Sequence, residues 1–137
     1  MNILKILTLG CTMSLLLSFS NTQAAELDYT QELQQGCGKL KQYARLGKQY
    51  YDQKQYAKAL TQFEDQAAWS HFCQINAEES GVNVTDRDIE IAHSNVGLTY
   101  AKLGKPLWAR AWFLRNPDSK MSQFNLSQLP KMQQSTS

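Results

Sequence analysis

The sequence predicts an all-α fold of two antiparallel helical hairpins followed by a C-terminal capping helix. Three observations predict it. One spacing occurs twice: Leu46, Gly47, Tyr50, Ala59 and Phe63, then Val96, Gly97, Tyr100, Ala109 and Phe113. In each copy an apolar–Gly pair is followed, counted from the apolar residue, by Tyr at +4, Ala at +13 and Phe at +17. Between these positions apolar residues recur at three- and four-residue steps, the period of one face of a helix. Strand alternation is missing; Val82-Asn83-Val84 is too short to count. Repeated helical hairpins stack into scaffolds that bind along a surface.

The chain opens with a segment that reads as a secretory signal peptide, residues 1–24. Lys5 supplies its charge, and Ile6–Phe19 is largely apolar. That stretch is shorter than the ~20 apolar residues of a membrane span. Thr22 and Ala24 stand at −3 and −1 of a cleavage point near Ala24. An uncleaved anchor is the alternative. Cys11 follows Leu7-Thr8-Leu9-Gly10, a poor lipidation context in the middle of the apolar run. The short leader and small domain have a bacterial style, so the expected location is periplasmic or secreted.

Residues 25–36 form an N-terminal arm with Leu27 and Leu33 as its apolar residues, either a short helix broken at Gly36–Gly38 or a frayed segment. The helical-repeat domain is expected over residues 37–130. Its first helix runs from Cys37 to Gln53, with Cys37, Leu40, Ala44, Gly47 and Tyr51 on one face. A second helix, from Gln55 toward Ala77, is long enough that its last turns project beyond the hairpin. Glu78–Thr85 is the break, holding Ser80-Gly81. Thr85 is a good N-cap, and Asp86 and Asp88 oppose the helix dipole in the next turn. The third helix spans Asp86–Leu103, and Gly104 ends it where a left-handed residue is needed. Pro106 suits the first turn of the fourth helix, which carries Leu107, Trp108, Ala109, Ala111, Trp112, Phe113 and Leu114 and stops at Asn116-Pro117. Asp118 or Ser119 caps a fifth helix through Met121, Phe124, Leu126 and Leu129, whose apolar face is expected to cover the exposed side of the fourth. Residues 131–137 are polar and read as a disordered tail.

Composition narrows the functional classes. Of 14 basic residues, loss of Lys5 leaves 13 against 12 acidic ones, a nearly neutral chain with scattered lysines. The basic footprint expected of a nucleic-acid binder is missing. Cys37 and Cys73 remain after cleavage, and an even pair in an oxidising compartment predicts a disulfide. In an antiparallel hairpin turning near Gln53–Gln55 the two cysteines fall at similar height on facing seams; two buried thiols are the alternative. Without a CxxC pair or a paired histidine, no metal site is expected.

At the repeated residues the chain resembles the tetratricopeptide-repeat family. Gly47 and Gly97 match the small residue that lets the second helix approach. Ala59 and Ala109 match its small counterpart on the facing helix. Tyr50 and Tyr100 match the residue filling the hairpin seam, and Phe63 and Phe113 match the aromatic packing toward the neighbour. Gly104 matches the turn glycine, whereas Lys54 holds that place in the first copy. The copies stand 50 residues apart, from Leu46 to Val96, against ~34 in the family. The run Ala109-Arg110-Ala111-Trp112-Phe113 fits the longer Sel-like repeats about as well. Two divergent repeats of this kind imply a scaffold that binds a protein or peptide along the first helices of its hairpins. By position these are Lys41, Ala44, Lys48, Tyr51 and Asp52, then Ile91, Ser94, Asn95, Leu98 and Lys102. Lys48 and Asn95 would hold a peptide backbone or carboxylate over a floor of Tyr51 and Leu98.

The expected function is therefore an adaptor or assembly factor of the bacterial cell envelope. The alternative is a structural subunit that self-associates, as a homodimer, through its aromatic helix faces. No motif places a nucleophile or a carboxylate pair near His71 or His93 in the fold, and the adjacent Ser70-His71 lacks a third member to orient the imidazole. Gly36-Cys37-Gly38 lacks the strand and lysine spacing of a phosphate loop. No enzyme activity and no cofactor is expected.

Overall fold

The computed structural model describes residues 29–134, with side chains through 131. The segments read as signal peptide, the start of the arm (25–28) and the last tail residues (135–137) lie outside the described residues. The chain divides after Glu32 into two units. Of the first, residues 29–32 are described and are helical. The second begins in helix over residues 33–38 (α1) and continues through α2 (Leu40–Asp52), α3 (Tyr56–Ile75), the one-turn α4 (Ala77–Ser80), α5 (Asp86–Lys102), α6 (Pro106–Phe113) and α7 (Lys120–Gln134). The fold is all-α, and no strand occurs among the described residues.

Two close approaches organise the packing. A Cβ placed on Gly47 would collide with the Phe63 ring, and one placed on Gly97 would collide with the Phe113 ring. Each glycine thus lets its helix lie against the aromatic of the next: α2 on α3, and α5 on α6. Both turns use the same backbone device. Gln55 N–H donates to Tyr50 C=O and Lys105 N–H to Tyr100 C=O, each at 2.9–3.0 Å. The chain reverses through a left-handed residue, Gly104 at φ 69° in the second turn and Lys54 at φ 60° in the first. Glycine adopts that region freely, whereas a Cβ there is strained.

Three apolar clusters run along the unit. Leu33, Cys37, Cys73, Val84 and Ile89 form the first, with Leu40, Trp69 and Val82 against it. Ala59, Phe63, Ala67, Ala92 and Val96 form the second, flanked by Tyr50, Tyr51, Tyr100 and Trp112. Ala101, Ala109, Phe113 and Leu129 form the third, with Leu98 and Leu126. Helix α3 is the common wall, packing against α2 on one flank and α5 on another, while α7 packs on both α5 and α6.

Cys37 and Cys73 are disulfide-bonded, with Cα atoms 5.8 Å apart. The bond closes a loop of 36 residues around the first hairpin, which adds about 3–4 kcal/mol in the chain-entropy account.

Several boundaries differ from the sequence expectation, each for a visible reason. The end of the arm is core: Leu33 is buried, and Gly36 is held so close to the Trp69 ring that no Cβ would fit. The helix break falls at Lys39, not at the glycines. Consequently the last turns of α3 do not project bare, because Trp69 and Cys73 are packed with α1. Helix α7 continues past Pro130 to Gln134, into the stretch read as tail. Thr85 caps α5 as expected and does more: its Oγ1 accepts from Asp88 N–H, while Asp88 accepts from Thr85 N–H at 2.9 Å, a reciprocal capping box. The Thr85 hydroxyl also donates to the Asp88 carboxylate at 2.6 Å, and this bond, with that from Thr85 N–H, holds the Asp88 carboxyl below the usual carboxylate range.

Candidate functional site

Helix α5 is wrapped on nearly every side. Ile89, Ala92 and Val96 face α3, and Ser94, Gly97, Thr99 and Ala101 are also buried. Beyond its exposed first turn, Asp86 to Asp88, and the half-buried Glu90, His93 and Tyr100, it keeps one narrow open stripe at positions i, i+4, i+7 and i+11: Ile91, Asn95, Leu98 and Lys102. These are four of the five groove positions expected on this helix. Ile91 and Lys102 are exposed, and Asn95 and Leu98 are half-buried. The Asn95 amide donates to Gln66 Oε1 at 3.4 Å, tying the stripe to α3.

Ser94 is the exception and corrects the expectation. It is 4% exposed, and its Oγ accepts a 2.7 Å bond from Asn125 Nδ2. Helix α7 lies over it, so Ser94 is an internal anchor rather than a groove residue. Leu98 also feels this helix, packing beside Leu126 against the third cluster.

The α2 positions separate into two groups. Tyr51 packs on the cluster that holds Ala92 and Val96, and it meets Tyr56 edge-to-face at 5.3 Å. Burial, with Tyr56 and Asp52 nearby, pushes its phenol up. Lys41 and Lys48, in contrast, are exposed together with Arg45 and Asp52 on the side of α2 opposite Tyr43, Leu46, Gly47 and Tyr50. Lys48 Nζ pairs with Asp52 Oδ2 at 2.6 Å. Its ion partner thus lies on its own helix, whereas Asn95 is bonded to Gln66 on α3. The shallow dent at Lys48 is lined by Ala44, Arg45, Lys48, Gln49 and Asp52 of α2 and by Gln53, its C-cap. A hollow built from a single helix encloses nothing.

His93 is the one partly buried imidazole with a defined setting. Its Nδ1 lies 2.7 Å from Asn116 Oδ1; since a carbonyl oxygen only accepts, Nδ1 carries the proton and donates. Its ring is 5.5 Å from Trp112, and the Arg115 guanidinium covers that indole at 3.8 Å. Burial lowers the imidazole's proton affinity, Arg115 and His71 add to this, and the Asn116 bond opposes it. The neutral ring braces the end of α6 against α5. Tyr100 plays a similar part on α3, donating to Glu64 Oε1 at 2.7 Å, and that bond raises its phenol. Asn125, Asn116 and Gln66 were not legible as site residues; each is a lone polar side chain on a helix face, with no motif around it. Among the described residues no cluster of three or more His, Cys, Asp or Glu could hold a metal, and no helix is long and apolar enough to cross a membrane.

No protein-family model, curated protein or solved structure matches this chain.

Proposed function

We propose that this protein is an exported helical-repeat scaffold, of tetratricopeptide or Sel-like type, that binds a protein or peptide partner in the bacterial cell envelope. The observation that carries the reading is the α5 stripe. A helix enclosed by three others keeps one apolar-and-amide strip, Ile91, Asn95, Leu98 and Lys102, in reach of solvent. Ile91 and Leu98 offer apolar anchors at helical spacing, Asn95 offers a backbone-like donor and acceptor, and Lys102 ends the strip with a positive charge. That is a surface suited to an extended or helical segment bearing a carboxylate. The Gly47–Phe63 and Gly97–Phe113 approaches support the repeat reading. The Cys37–Cys73 bond is compatible with an oxidising compartment and so with export. We read the protein as non-catalytic, because the histidine with a defined setting spends its proton on Asn116 and its ring on Trp112.

Affinity capture from the envelope fraction of the producing cell tests this. The wild type captures a specific partner, and an Ile91→Asp/Asn95→Ala variant loses it while keeping its helical circular-dichroism signal. Equal capture by both would move the site off α5. Capture of nothing but the chain itself would favour a self-associating structural subunit.

A further inference from the structure

Helix α6 is apolar on both sides. Its inner face carries Ala109 and Phe113, both fully buried. Directly opposite stands Ala111, and in the same arc lie Leu107, Trp108, Leu114 and Arg115, all exposed. Leu107 is 80% exposed and Trp108 60%. The capping helix was expected to cover this side. It packs instead in the angle between α5 and α6, anchored by Leu129 and the Asn125–Ser94 bond. A helix apolar all round is normally buried, so this face is built to be covered by something.

Charge identifies what. From residue 102 to 131 the chain carries Lys102, Lys105, Arg110, Arg115, Lys120 and Lys131 against the single acid Asp118. Residues 33–101 carry seven basic against eight acidic residues. The near-neutral total therefore conceals a strongly cationic C-terminal third, with Lys105, Arg110 and Arg115 on or beside the apolar face. Both ion pairs among the described residues lie elsewhere, Lys48–Asp52 and Arg87–Glu90. Glu64 approaches the rim through Tyr100, which stacks on Trp108 at 5.7 Å, but its Oε1 already accepts the tyrosine hydroxyl. Exposure points the same way. Leu107 is almost wholly exposed, and Trp108, stacked on Tyr100, keeps most of its surface open. A folded partner would need a pocket to match them, whereas fluid acyl chains need no complementary shape. Trp and Leu flanked by Lys and Arg are the composition of an interfacial contact with anionic lipid.

We propose that the outer face of α6 docks on an anionic bilayer surface, with Leu107, Trp108 and Leu114 entering the headgroup–acyl boundary and Lys105, Arg110 and Arg115 meeting lipid phosphates. This is peripheral contact, independent of the α5 stripe, and it would hold the scaffold at a membrane with that stripe free.

The test is quenching of tryptophan fluorescence in the full chain by vesicles of brominated phosphatidylglycerol, beside vesicles of brominated phosphatidylcholine. The wild type is quenched by the anionic vesicles and far less by the zwitterionic ones. Trp108→Phe, which keeps an aromatic on Tyr100, loses most of the quenching even though Trp69 and Trp112 remain. Lys105→Gln/Arg110→Gln weakens partitioning about thirty-fold, two charges at roughly fivefold each. Equal quenching by both vesicle types would overturn the proposal, as would quenching retained in Trp108→Phe. A lipid-free, concentration-dependent dimer in which Trp108 becomes shielded would also overturn it, giving the face to a second copy of the chain.

Discussion

The two hairpins, α2–α3 and α5–α6, share one seam and differ in almost everything around it. In both, a glycine admits a phenylalanine ring, and a left-handed residue turns the chain. The first hairpin is long, stapled at its open end by Cys37–Cys73, and solvated along the back of α2. The second has no staple. Its first helix is enclosed by α3, α6 and α7, and its second helix shows solvent an apolar face. The same local contact can therefore be held by covalent closure in one place and by burial in another. Each solution leaves a different surface free: a polar back on α2, and the α5 stripe and α6 face on the second hairpin.

The largest effect should come from removing the staple. Cys37→Ala/Cys73→Ala, or reduction of the wild type, lowers unfolding free energy by about 3–4 kcal/mol, read by urea titration. A loss below about 1 kcal/mol would mean that burial of α1 and α3 holds the first hairpin as the second is held.

The seam itself comes next. Gly97→Ala should cost about 1–2 kcal/mol net and Gly47→Ala less than about 1 kcal/mol, from the ~1–3 kcal/mol of forcing extra volume into a packed core less the ~1 kcal/mol gain in helix propensity. The difference follows from enclosure: α5 is held by α3, α6 and α7 and is open only along its narrow stripe, whereas α2 packs on α3 alone and can slide outward into solvent. Equal costs would show that the rings, not the surrounding helices, absorb the added methyl.

Exchange of the turn residues is smaller. Lys54→Gly relieves a left-handed lysine and should stabilise by about 0.5–1 kcal/mol, while Gly104→Lys should destabilise by a similar amount. Thermal melts of the pair would show opposite shifts.

The last effect is confined to the second hairpin and is read through pH. Folding lowers the His93 pKa, chiefly by burial, so the unfolded chain binds the proton more readily. The contribution is fully present above the ordinary imidazole value of about 6.5, and it is lost as pH falls below that value toward the folded pKa. The melting temperature of the wild type should therefore drop more between pH 7.5 and 5.5 than that of His93→Gln. Parallel curves would mean that the ring charges freely in place.

Much of the architecture was readable because it rests on local rules. The Gly–Phe spacing, Thr85 with Asp88, Gly104, Pro106 and the cysteine heights are each fixed by helix geometry or turn chemistry within a few residues. What escaped depends on tertiary choice. Leu33 and Gly36 sit in a polar segment, and that segment packs because Leu33 joins the Cys37, Cys73, Val84 and Ile89 cluster and Gly36 admits the Trp69 ring. Ser94 occupies a position by which a groove would be drawn, yet Asn125 covers it, and no local pattern announces a partner 31 residues away. The Lys48–Asp52 pair is the opposite case, an i,i+4 pair that helix spacing alone makes legible. Helix α6 differs again: its second apolar face is expected beneath the capping helix, and composition cannot say which side stays uncovered. The cationic C-terminal third was also hidden, because a whole-chain balance averages it against the acids of α3–α5.

Docking of a partner on the α5 stripe, and not on the back of α2, is tested most directly by site-specific photocrosslinking inside the cell, with a photoreactive phenylalanine analogue placed at Ile91, at Leu98, at Lys41 and at Lys48 in turn. Docking on the stripe gives one discrete heteromeric adduct from positions 91 and 98 and none from 41 and 48. Adducts from 41 and 48 alone, or the same adduct from all four, would contradict it.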